Sequence, residues 1–555
     1  MFKQGCLPIT IFALKGINFT TTIRMLGATL SIITLTACMG LPDNSNRTIS
    51  NYLPANPNTT LAKRILPDNH ANAGKTGAYL LHEGYEAFVS RLALVENAQQ
   101  SIDAQYYIWH DDTSGRLLLK SLQKAADRGV RVRLLLDDNA TRGMDNILSK
   151  LNSHPKIEVR LFNPYAQRKF RSIAYFTDTS RINRRMHNKS FTVDGVISVI
   201  GGRNIGDEYF QAGSDLMFAD LDVSVVGKVV EEIQQDFDKY WANEASYPIE
   251  RIAKPDFKVK PSNSSKIDEV GQTGHDIQIL NINKTKSYLA NLFDTKYPHY
   301  VDNNDNSLLV WADKAHFYSD PPTKISAAKD FSYQDSVIAK TVPFIASTKQ
   351  QLLIISPYFV PTKLGSQFLI DIAKKGKRVI VMTNSLASTD ITLVHAGYQK
   401  YRKALLAAGV EIYEFKPEPK HDEYGDEEYQ QKYRDDYDIN GILPDSNASL
   451  HAKSFTVDDK YLFVGSPNLD PRSAKLNTEL GIVFDSARLA KVVNKAFEQN
   501  KDVVNYRLKL NPKGKIEWHT LENGKQVVYY HEPEVDLKDT IIVDILSMLP
   551  IDGLL

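Results

Sequence analysis

Two segments of this chain carry the same potentially reactive side chains at the same spacing. Each segment has a His, a Lys two positions later and an Asp five positions after the Lys, and a Gly-x-x-Asn follows. The side chains are His187, Lys189, Asp194 and Asn204 in the first copy, and His451, Lys453, Asp458 and Asn468 in the second. In both copies the Asn lies seventeen positions after the His. The match predicts one chemical site that is built from two similar halves.

A β-strand would bring each His and its Lys together, because alternate side chains of a strand point to the same face. Each strand could then offer one imidazole and one ammonium group to a single anion. Asp194-Gly195 and Asp458-Asp459 interrupt apolar runs and predict tight hairpin turns, where the aspartates would be structural. Each Asn would lie just past the returning strand and donate its amide to the same anion.

These side chains suit the cleavage of a phosphodiester without a metal. One histidine can attack phosphorus to form a phosphohistidine, and the other can protonate the leaving alcohol and later deprotonate the incoming one. The lysines and asparagines would stabilise the charge of the transition state. No group of His, Asp and Glu has the spacing of a metal site, so we expect neither a metal nor another cofactor.

The repeated pattern resembles the signature of the phospholipase D superfamily, and the resemblance covers the chain from about Gly77 to its end. Several further stretches are similar to the bacterial cardiolipin synthase C type: residues 184–195, 201–210, 356–361, 388–390 and 395–398. The resemblance implies His187 as the nucleophile and His451 as the general acid and base. The similarity of the two halves leaves the reverse assignment open. The resemblance also groups Lys189, Asp194, Lys453 and Asp458 with them as the catalytic residues of the two motifs.

Each histidine also needs a partner that fixes its tautomer. Downstream of the motifs, Asp222 and Glu479 occupy comparable predicted strand positions and are the candidate carboxylates. They follow the His of their own half by 35 and 28 residues, which indicates a short insertion around residues 211–218. Asp215 or Asp220 could therefore replace Asp222.

Strand, helix and strand follow one another at similar spacing in both halves, over residues 101–136 and 352–382. This order indicates crossover units and a mainly parallel sheet. The predicted fold class is α/β. It comprises two similar phospholipase D-like domains, each a largely parallel mixed sheet flanked by helices, packed around a pseudo-two-fold axis.

The remaining boundaries follow from composition. Residues 1–38 resemble a lipoprotein signal peptide that ends at Cys38, the predicted lipid anchor, and 39–75 resemble a flexible tether. The two domains are predicted at 76–253 and 301–555, with a linker at 254–300 and an irregular insertion at 416–447. We therefore expect a lipoprotein of the bacterial cell envelope that faces the periplasm, on either the inner or the outer membrane.

A net charge of only +1 disfavours nucleic acid as a partner, so we expect phospholipids at a membrane surface. The basic run from Arg168 to Arg185 would bind anionic headgroups. The apolar end, residues 541–555, would pack on the core or lie on a bilayer, and packing is favoured.

The resemblance implies transfer of a phosphatidyl group to phosphatidylglycerol, which makes cardiolipin, and a possible accessory protein. The alternatives are hydrolysis as a phospholipase D, cleavage of nucleic acid as a nuclease, and non-catalytic lipid binding.

Overall fold

A computed structural model describes residues 40–168, 170–212, 217–253, 309–417 and 448–548. The predicted signal peptide with Cys38, the linker at 254–300 and most of the insertion at 416–447 lie outside these ranges, and so does Asp215. The strands are β1 Thr76–Leu81, β2 Ser101–Tyr106, β3 Arg131–Asp137, β4 Ile157–Phe162, β5 Ser190–Val193, β6 Ile197–Gly201, β7 Met217–Ala219, β8 Asp222–Gly227, β9 Ser246–Pro248, β10 Val310–Ala312, β11 Lys314–Ser319, β12 Gln351–Ile355, β13 Arg378–Asn384, β14 Glu411–Phe415, β15 Ala448–Leu450, β16 Ser454–Val457, β17 Tyr461–Gly465, β18 Leu480–Asp485, β19 Asn505–Leu510, β20 Ile516–Glu522 and β21 Lys525–Tyr529.

The described α-helices surround these strands. They are α1 Thr60–Ala71, α2 Gly84–Asn97, α3 Thr113–Asp127, α4 Asp145–Asn152, α5 Arg171–Thr177, α6 Thr179–Ile182, α7 Val229–Ala242, α8 Ile249–Ile252, α9 Thr323–Ser326, α10 Val337–Ala346, α11 Thr362–Lys374, α12 Thr392–Ala407, α13 Pro471–Lys475, α14 Ala487–Asn500 and α15 Leu537–Ser547. None of them combines the length and the apolar character needed to cross a bilayer.

Each half forms one large mixed sheet. The first has the order β10-β1-β8-β6-β5-β2-β3-β4-β9, and the second has the order β11-β18-β17-β16-β12-β13-β14-β19-β20-β21. The neighbours β2-β3-β4 and β12-β13-β14 are parallel, as the crossover pattern predicted, and the other pairings in these two sheets are antiparallel. Helix α3 lies between β2 and β3 in sequence and buries its leucines, because they recur at helical spacing. The prediction of two α/β domains with mixed sheets is confirmed. The sheets are not largely parallel, because the motif hairpins and the strands beside them add mostly antiparallel pairings.

The two domains pack against each other through a shared apolar core. It contains Ile200 and Val223 of the first sheet together with Val464 and Ile482 of the second, all fully buried. A two-stranded sheet also joins β7 of the first domain to β15 of the second. The site can therefore take side chains from both halves.

The prediction of a flexible tether at 39–75 is wrong for residues 40–75, which pack on the first domain. The Asn44 amide donates to the carbonyls of Glu244 and Ser246, and Arg133 donates to the carbonyl of Ser50. These bonds give the polar segment partners that its composition did not reveal. The predicted start of the second domain at 301 is also displaced, because β10 extends the first sheet beside β1.

Helix α15 contains much of the apolar carboxyl end and packs on α12, as the favoured alternative predicted. Val543 is fully buried there among Val360, Leu386 and Val394. Other apolar side chains of α15 remain exposed.

Candidate active site

Each reactive His and Lys lies just before a hairpin strand, β5 or β16, and the prediction that they lie on the strand itself is wrong. Strand β5 runs antiparallel to β2, and β16 runs antiparallel to β12. Ser190 pairs with Gln105 and Ser454 with Ile355, so the histidines stand at the carboxyl ends of the parallel strands. This side of the two sheets, at the carboxyl ends of β2–β4 and β12–β14, is called the histidine edge below.

Each histidine pairs with a carboxylate from the opposite domain. Nδ1 of His187 lies 2.8 Å from Oε2 of Glu479, and Nδ1 of His451 lies 2.5 Å from Oδ2 of Asp220. The backbone repeats this exchange: the His187 N–H donates to the carbonyl of Thr478, and the His451 N–H donates to that of Ala219. In both cases the acceptor is the residue just before the carboxylate. The two contacts therefore follow the predicted pseudo-two-fold arrangement.

The prediction that Asp222 orients a histidine is wrong. The Asp222 carboxylate accepts a hydrogen bond from the buried Arg91 guanidinium at 2.7 Å. In the sheets, Gly201 pairs with Asp222 and its counterpart Gly465 pairs with Gly481, so Asp222 corresponds to Gly481. Asp220 then corresponds to Glu479. Aligning Asp220-Leu-Asp with Glu479-Leu-Gly would have shown this.

The surroundings of the two carboxylates differ in a complementary way. Glu479 accepts hydrogen bonds from the hydroxyls of Ser466 at 2.5 Å and Ser473 at 2.8 Å. The counterpart of Ser466 in the first copy is Gly202, where an added Cβ would lie 2.1 Å from Oδ1 of Asp220. The shorter side chain of Asp220 therefore approaches the backbone of Gly202, whereas the hydroxyl groups of two serines hold the longer side chain of Glu479.

Both lysines are buried beside their histidines. Nζ of Lys189 donates to the carbonyl of His187 at 2.7 Å, and Nζ of Lys453 lies 2.9 Å from Nδ1 of His451. Burial lowers the pKa of Lys189 well below its ordinary value. Burial also lowers the pKa of Lys453 to about 8, although Asp220 and Glu479 oppose the shift. Each ammonium is thus poorly hydrated and suited to pairing with an anion.

Burial keeps both imidazoles neutral at pH 7. It lowers the pKa of His187 to about 4, which outweighs the raising effect of Glu479. The pKa of His451 is lowered by burial and by the positive charge of Lys453. Burial alone would raise the pKa of Glu479, but His187 and Lys189 hold it below its ordinary value. An Nδ1–H bonded to a carboxylate leaves Nε2 of each neutral ring with its lone pair.

The two asparagines have different partners. Oδ1 of Asn204 accepts from the Ile108 N–H, and its Nδ2 donates to the Tyr209 hydroxyl at 2.9 Å. One of its two amide N–H groups is thus engaged by Tyr209, and binding of the anion by the other stays a prediction. Oδ1 of Asn468 is buried and has no hydrogen-bond partner among the residues that the structure describes.

Aromatic rings contact both histidines, and the sequence analysis did not identify them. The edge of Tyr107 meets His187 at 5.0 Å between ring centroids, and Tyr209 meets His451 at 5.3 Å. Phe218 lies 4.8 Å from His451. Tyr209 stands five positions after the Asn of the first motif, which is the only sequence signal for its place.

The motif aspartates do not contact the histidines. The Asp194 carboxylate accepts backbone N–H groups of Gln99, Gln100 and Ser101. Asp458 does the same for residues 349–351. Both residues have positive φ at the hairpin turns, 50° and 52°, at the opposite ends of β5 and β16 from the histidines. These contacts agree with the structural role that the hairpin pattern predicts, and no contact within the described ranges supports a catalytic role for either aspartate.

The basic run before the first motif is largely neutralised by carboxylates. Arg168 and Arg171 pair with Asp138, and Arg185 pairs with Asp137. These acids come from the end of β3, distant in sequence. The prediction that this run binds anionic headgroups as a free basic surface is therefore wrong.

In the described part of the chain, His110, Asp112 and Glu208 form a group whose ligand atoms lie within 4.8 Å of one another. Asp112 accepts from the N–H groups of Gly115 and Asp207, so it caps α3 and joins two loops. These bonds account for its position without a metal.

Comparison with known proteins places this geometry in a family. The family model described as "Cardiolipin synthase, PLD-like domain" matches residues 92–241 and 342–501. Cardiolipin synthase C of Escherichia coli (strain K12) is 41% identical over 497 residues, which cover 89% of this chain and 99% of that protein. An uncharacterized protein of Helicobacter pylori (strain J99) is 31% identical over 535 residues, 94% of this chain and 98% of its own.

A solved structure shows the same fold. The phosphatidylserine synthase of Haemophilus influenzae Rd KW20 superposes with a TM-score of 0.52 at 14% identity, covering 88% of this chain and 98% of its own. The family match and the near-complete alignment with its relatives agree with the two-copy site described above. The chain belongs to the PLD-like cardiolipin synthase family.

Proposed function

We propose that this protein is a phosphatidyltransferase that makes cardiolipin from phosphatidylglycerol and a second phospholipid, either phosphatidylglycerol or phosphatidylethanolamine. The observation that carries the proposal is the pair of buried, neutral histidines, each held by a carboxylate of the other domain beside a lysine. The near-complete alignment with cardiolipin synthase C supports the choice of reaction.

In the first half of the reaction, Nε2 of His187 attacks the phosphorus of a phospholipid. A phosphatidyl-histidine forms as the headgroup alkoxide leaves and takes a proton from Nε2 of His451. His451 gains this proton from solvent before the step: burial favours its neutral form in the free enzyme, and the negative charge of the bound phosphodiester would favour the protonated form. Burial leaves His187 unprotonated at pH 7, as a nucleophile must be, and Glu479 would stabilise the positive charge that develops on the ring.

In the second half, His451 removes the proton from a hydroxyl of phosphatidylglycerol, which displaces His187 and releases cardiolipin. Asp220 would stabilise the imidazolium that forms on His451. Lys189 and Lys453, which lie beside the histidines, would contact the non-bridging oxygens, and the amide N–H groups of Asn468 and Asn204 would donate to the same oxygens. Asn204 would also hold Tyr209 against His451.

The predicted lipid anchor is compatible with this reaction. Asn44, six residues after Cys38, binds the carbonyl of Ser246, which pairs with Phe162 at the carboxyl end of β4. A lipid on Cys38 would therefore attach near the histidine edge, within about 20 Å of extended chain. Export to the periplasm, attachment through Cys38 and an accessory protein stay predictions.

The test is incubation of the purified protein with labelled phosphatidylglycerol, with and without phosphatidylethanolamine, followed by identification of the lipids. Cardiolipin as the main product supports transfer, and phosphatidic acid alone shows hydrolysis. Neutral or basic quenching should trap a phosphatidyl group on His187 in the wild type. His451→Ala should accumulate the same adduct from a phosphatidyl ester of p-nitrophenol, a leaving group that needs no acid. An adduct on His451 in the wild type reverses the two roles.

A further inference from the structure

Exposed apolar side chains gather at the histidine edge of the second domain. Helix α15 exposes several, and two more stand at the starts of α11 and α12. The set, called the apolar rim below, comprises Ile541, Ile542, Ile545, Met548, Leu364 and Ile391. Leu364 and Met548 are the most exposed, at 83% and 82%. Large apolar side chains concentrated in this way mark a surface that contacts a partner.

The topology places the apolar rim beside the site. Leu364 follows β12 and Ile391 follows β13, so both stand where helices begin at the carboxyl ends of parallel strands. Helix α15 is fixed there by the buried Val543 and by a hydrogen bond from Gln399 to Asp544.

The apolar cluster beneath α15 continues toward the second motif. It includes Tyr358, and the next residue, Phe359, bridges to Leu469 beside Asn468. The apolar rim and the second motif are therefore connected by packed side chains. A ligand that covers the apolar rim would lie close to the active site.

The first domain adds a smaller apolar element on the same edge. Phe170 directly precedes α5, and Phe176 lies on α5, which follows the carboxyl end of β4. The two side chains are 63% and 90% exposed. Exposed apolar groups thus occur at the histidine edge in both domains.

We propose that the apolar rim inserts shallowly into the surface of a phospholipid bilayer and holds the histidine edge against it. This proposal rests on the proposed function, because lipid substrates reside in a bilayer and must reach the buried histidines. Helix α15 has two exposed acidic residues, Asp539 and Asp544, and one exposed lysine, Lys538. The basic run of the first domain is largely paired internally. Apolar insertion, and not attraction to anionic headgroups, therefore supplies the contact.

The first test reads insertion directly with the full chain. An environment-sensitive fluorophore is placed on Ile545→Cys, with the same label on Ile49→Cys as the matched control. Ile49 is 88% exposed but lies on the amino-terminal segment of the first domain. The parent protein, treated identically, corrects for labelling of Cys6 or Cys38. This design is independent of how the protein is tethered.

We expect the label at 545, but not that at 49, to shift to the blue and to be quenched by lipids that carry a quencher in the acyl region. The signal should persist in zwitterionic vesicles and in high salt, since no charge pair is involved. An unquenched label at 545 overturns the proposal. So does a blue shift that needs no vesicles and grows with protein concentration, which would assign the rim to a second copy of the chain.

The second test separates docking from chemistry. Ile541→Asp/Ile545→Asp should lower turnover of phosphatidylglycerol in vesicles about tenfold or more, whereas turnover of a monomeric short-chain phosphatidylglycerol stays unchanged. Ile49→Asp should change neither rate. Equal rates of the double variant and the wild type on vesicles contradict the docking surface. A wild type that transforms neither lipid, yet shows quenching at 545, contradicts the proposed function and leaves the docking surface supported.

Discussion

At the scale of residues, the exchange of carboxylates between domains is the main feature of the site. Neither half contains a complete histidine–carboxylate pair, because Glu479 serves His187 and Asp220 serves His451. Asp222, two positions from Asp220, belongs instead to a buried ion pair with Arg91. The two neighbouring aspartates should therefore respond to substitution in different ways.

Asp220→Asn should lower turnover by about a thousandfold or more, because the ring of His451 loses the carboxylate that fixes its tautomer and stabilises its imidazolium. Asp222→Asn should instead lower the free energy of unfolding by about 3–5 kcal/mol, since Arg91 stays buried without its counter-charge. Turnover and urea unfolding measured on both variants check this. If Asp222→Asn were stable but inactive and Asp220→Asn were active, Asp222 would be the carboxylate that orients a histidine, as the sequence analysis predicted.

Loss of protons from the two lysines should reduce the activity of the enzyme at mildly alkaline pH. The pKa of Lys453 is lowered to about 8 and that of Lys189 also lies below its ordinary value, so both ammonium groups lose their protons as the pH rises. We expect kcat/KM to fall above about pH 8, because the anion-binding charge is lost. The decrease of kcat should occur at a higher pH than the decrease of kcat/KM, since a bound phosphodiester favours the charged lysines.

A pH profile from 6 to 10 with monomeric substrate measures both decreases, and circular dichroism at each pH excludes unfolding. A kcat/KM that stays constant up to pH 10 would show that these ammonium groups keep their protons in the free enzyme.

At the scale of elements, the hairpins β5-β6 and β16-β17 place each His beside its Lys. The turn aspartates fix these hairpins to the start of the neighbouring strands β2 and β12, through backbone N–H groups. Each aspartate thus fixes the position of the strand that follows the reactive His and Lys.

Asp194→Asn and Asp458→Asn should each lower the free energy of unfolding by about 1–3 kcal/mol, because charged hydrogen bonds to the backbone are weakened. Turnover per folded molecule should change little. Urea unfolding and active-site titration through the trapped adduct measure the two effects separately. Loss of turnover with an unchanged unfolding midpoint would assign these aspartates to the chemistry.

At the scale of the whole molecule, the two domains share a core. Buried aliphatic side chains from both sheets form one cluster, and β7 pairs with β15 across the boundary. Hydrogen bonds from Arg472 to Asn183 add polar contacts between the halves. Separation of the domains would expose this core and take both carboxylates from their histidines.

Thermal unfolding should therefore show one calorimetric transition for the two domains, because neither keeps its apolar face buried alone. Scanning calorimetry of the full chain measures this. Two well-separated transitions would mean that the shared core contributes little to stability.

Local patterns in the sequence were enough to predict the two motifs, the hairpins next to them and the α/β class. His-x-Lys spacing, turn residues and helical leucines act within a few positions, and the strand–helix–strand order follows from them. The family resemblance also rested on these motifs, and the family match confirms it.

The packing of the domains determines which carboxylate meets which histidine, which aromatic rings flank the site and which basic residues are paired. An alignment of the two copies distinguishes Asp220 from Asp222, but only the packing shows that Glu479 and Asp220 each serve the histidine of the other domain. Arg168 is 30 residues from its partner Asp138, and His187 is 292 residues from Glu479. Such contacts arise from the packing of distant strands and of two domains, and no local pattern in the chain specifies them.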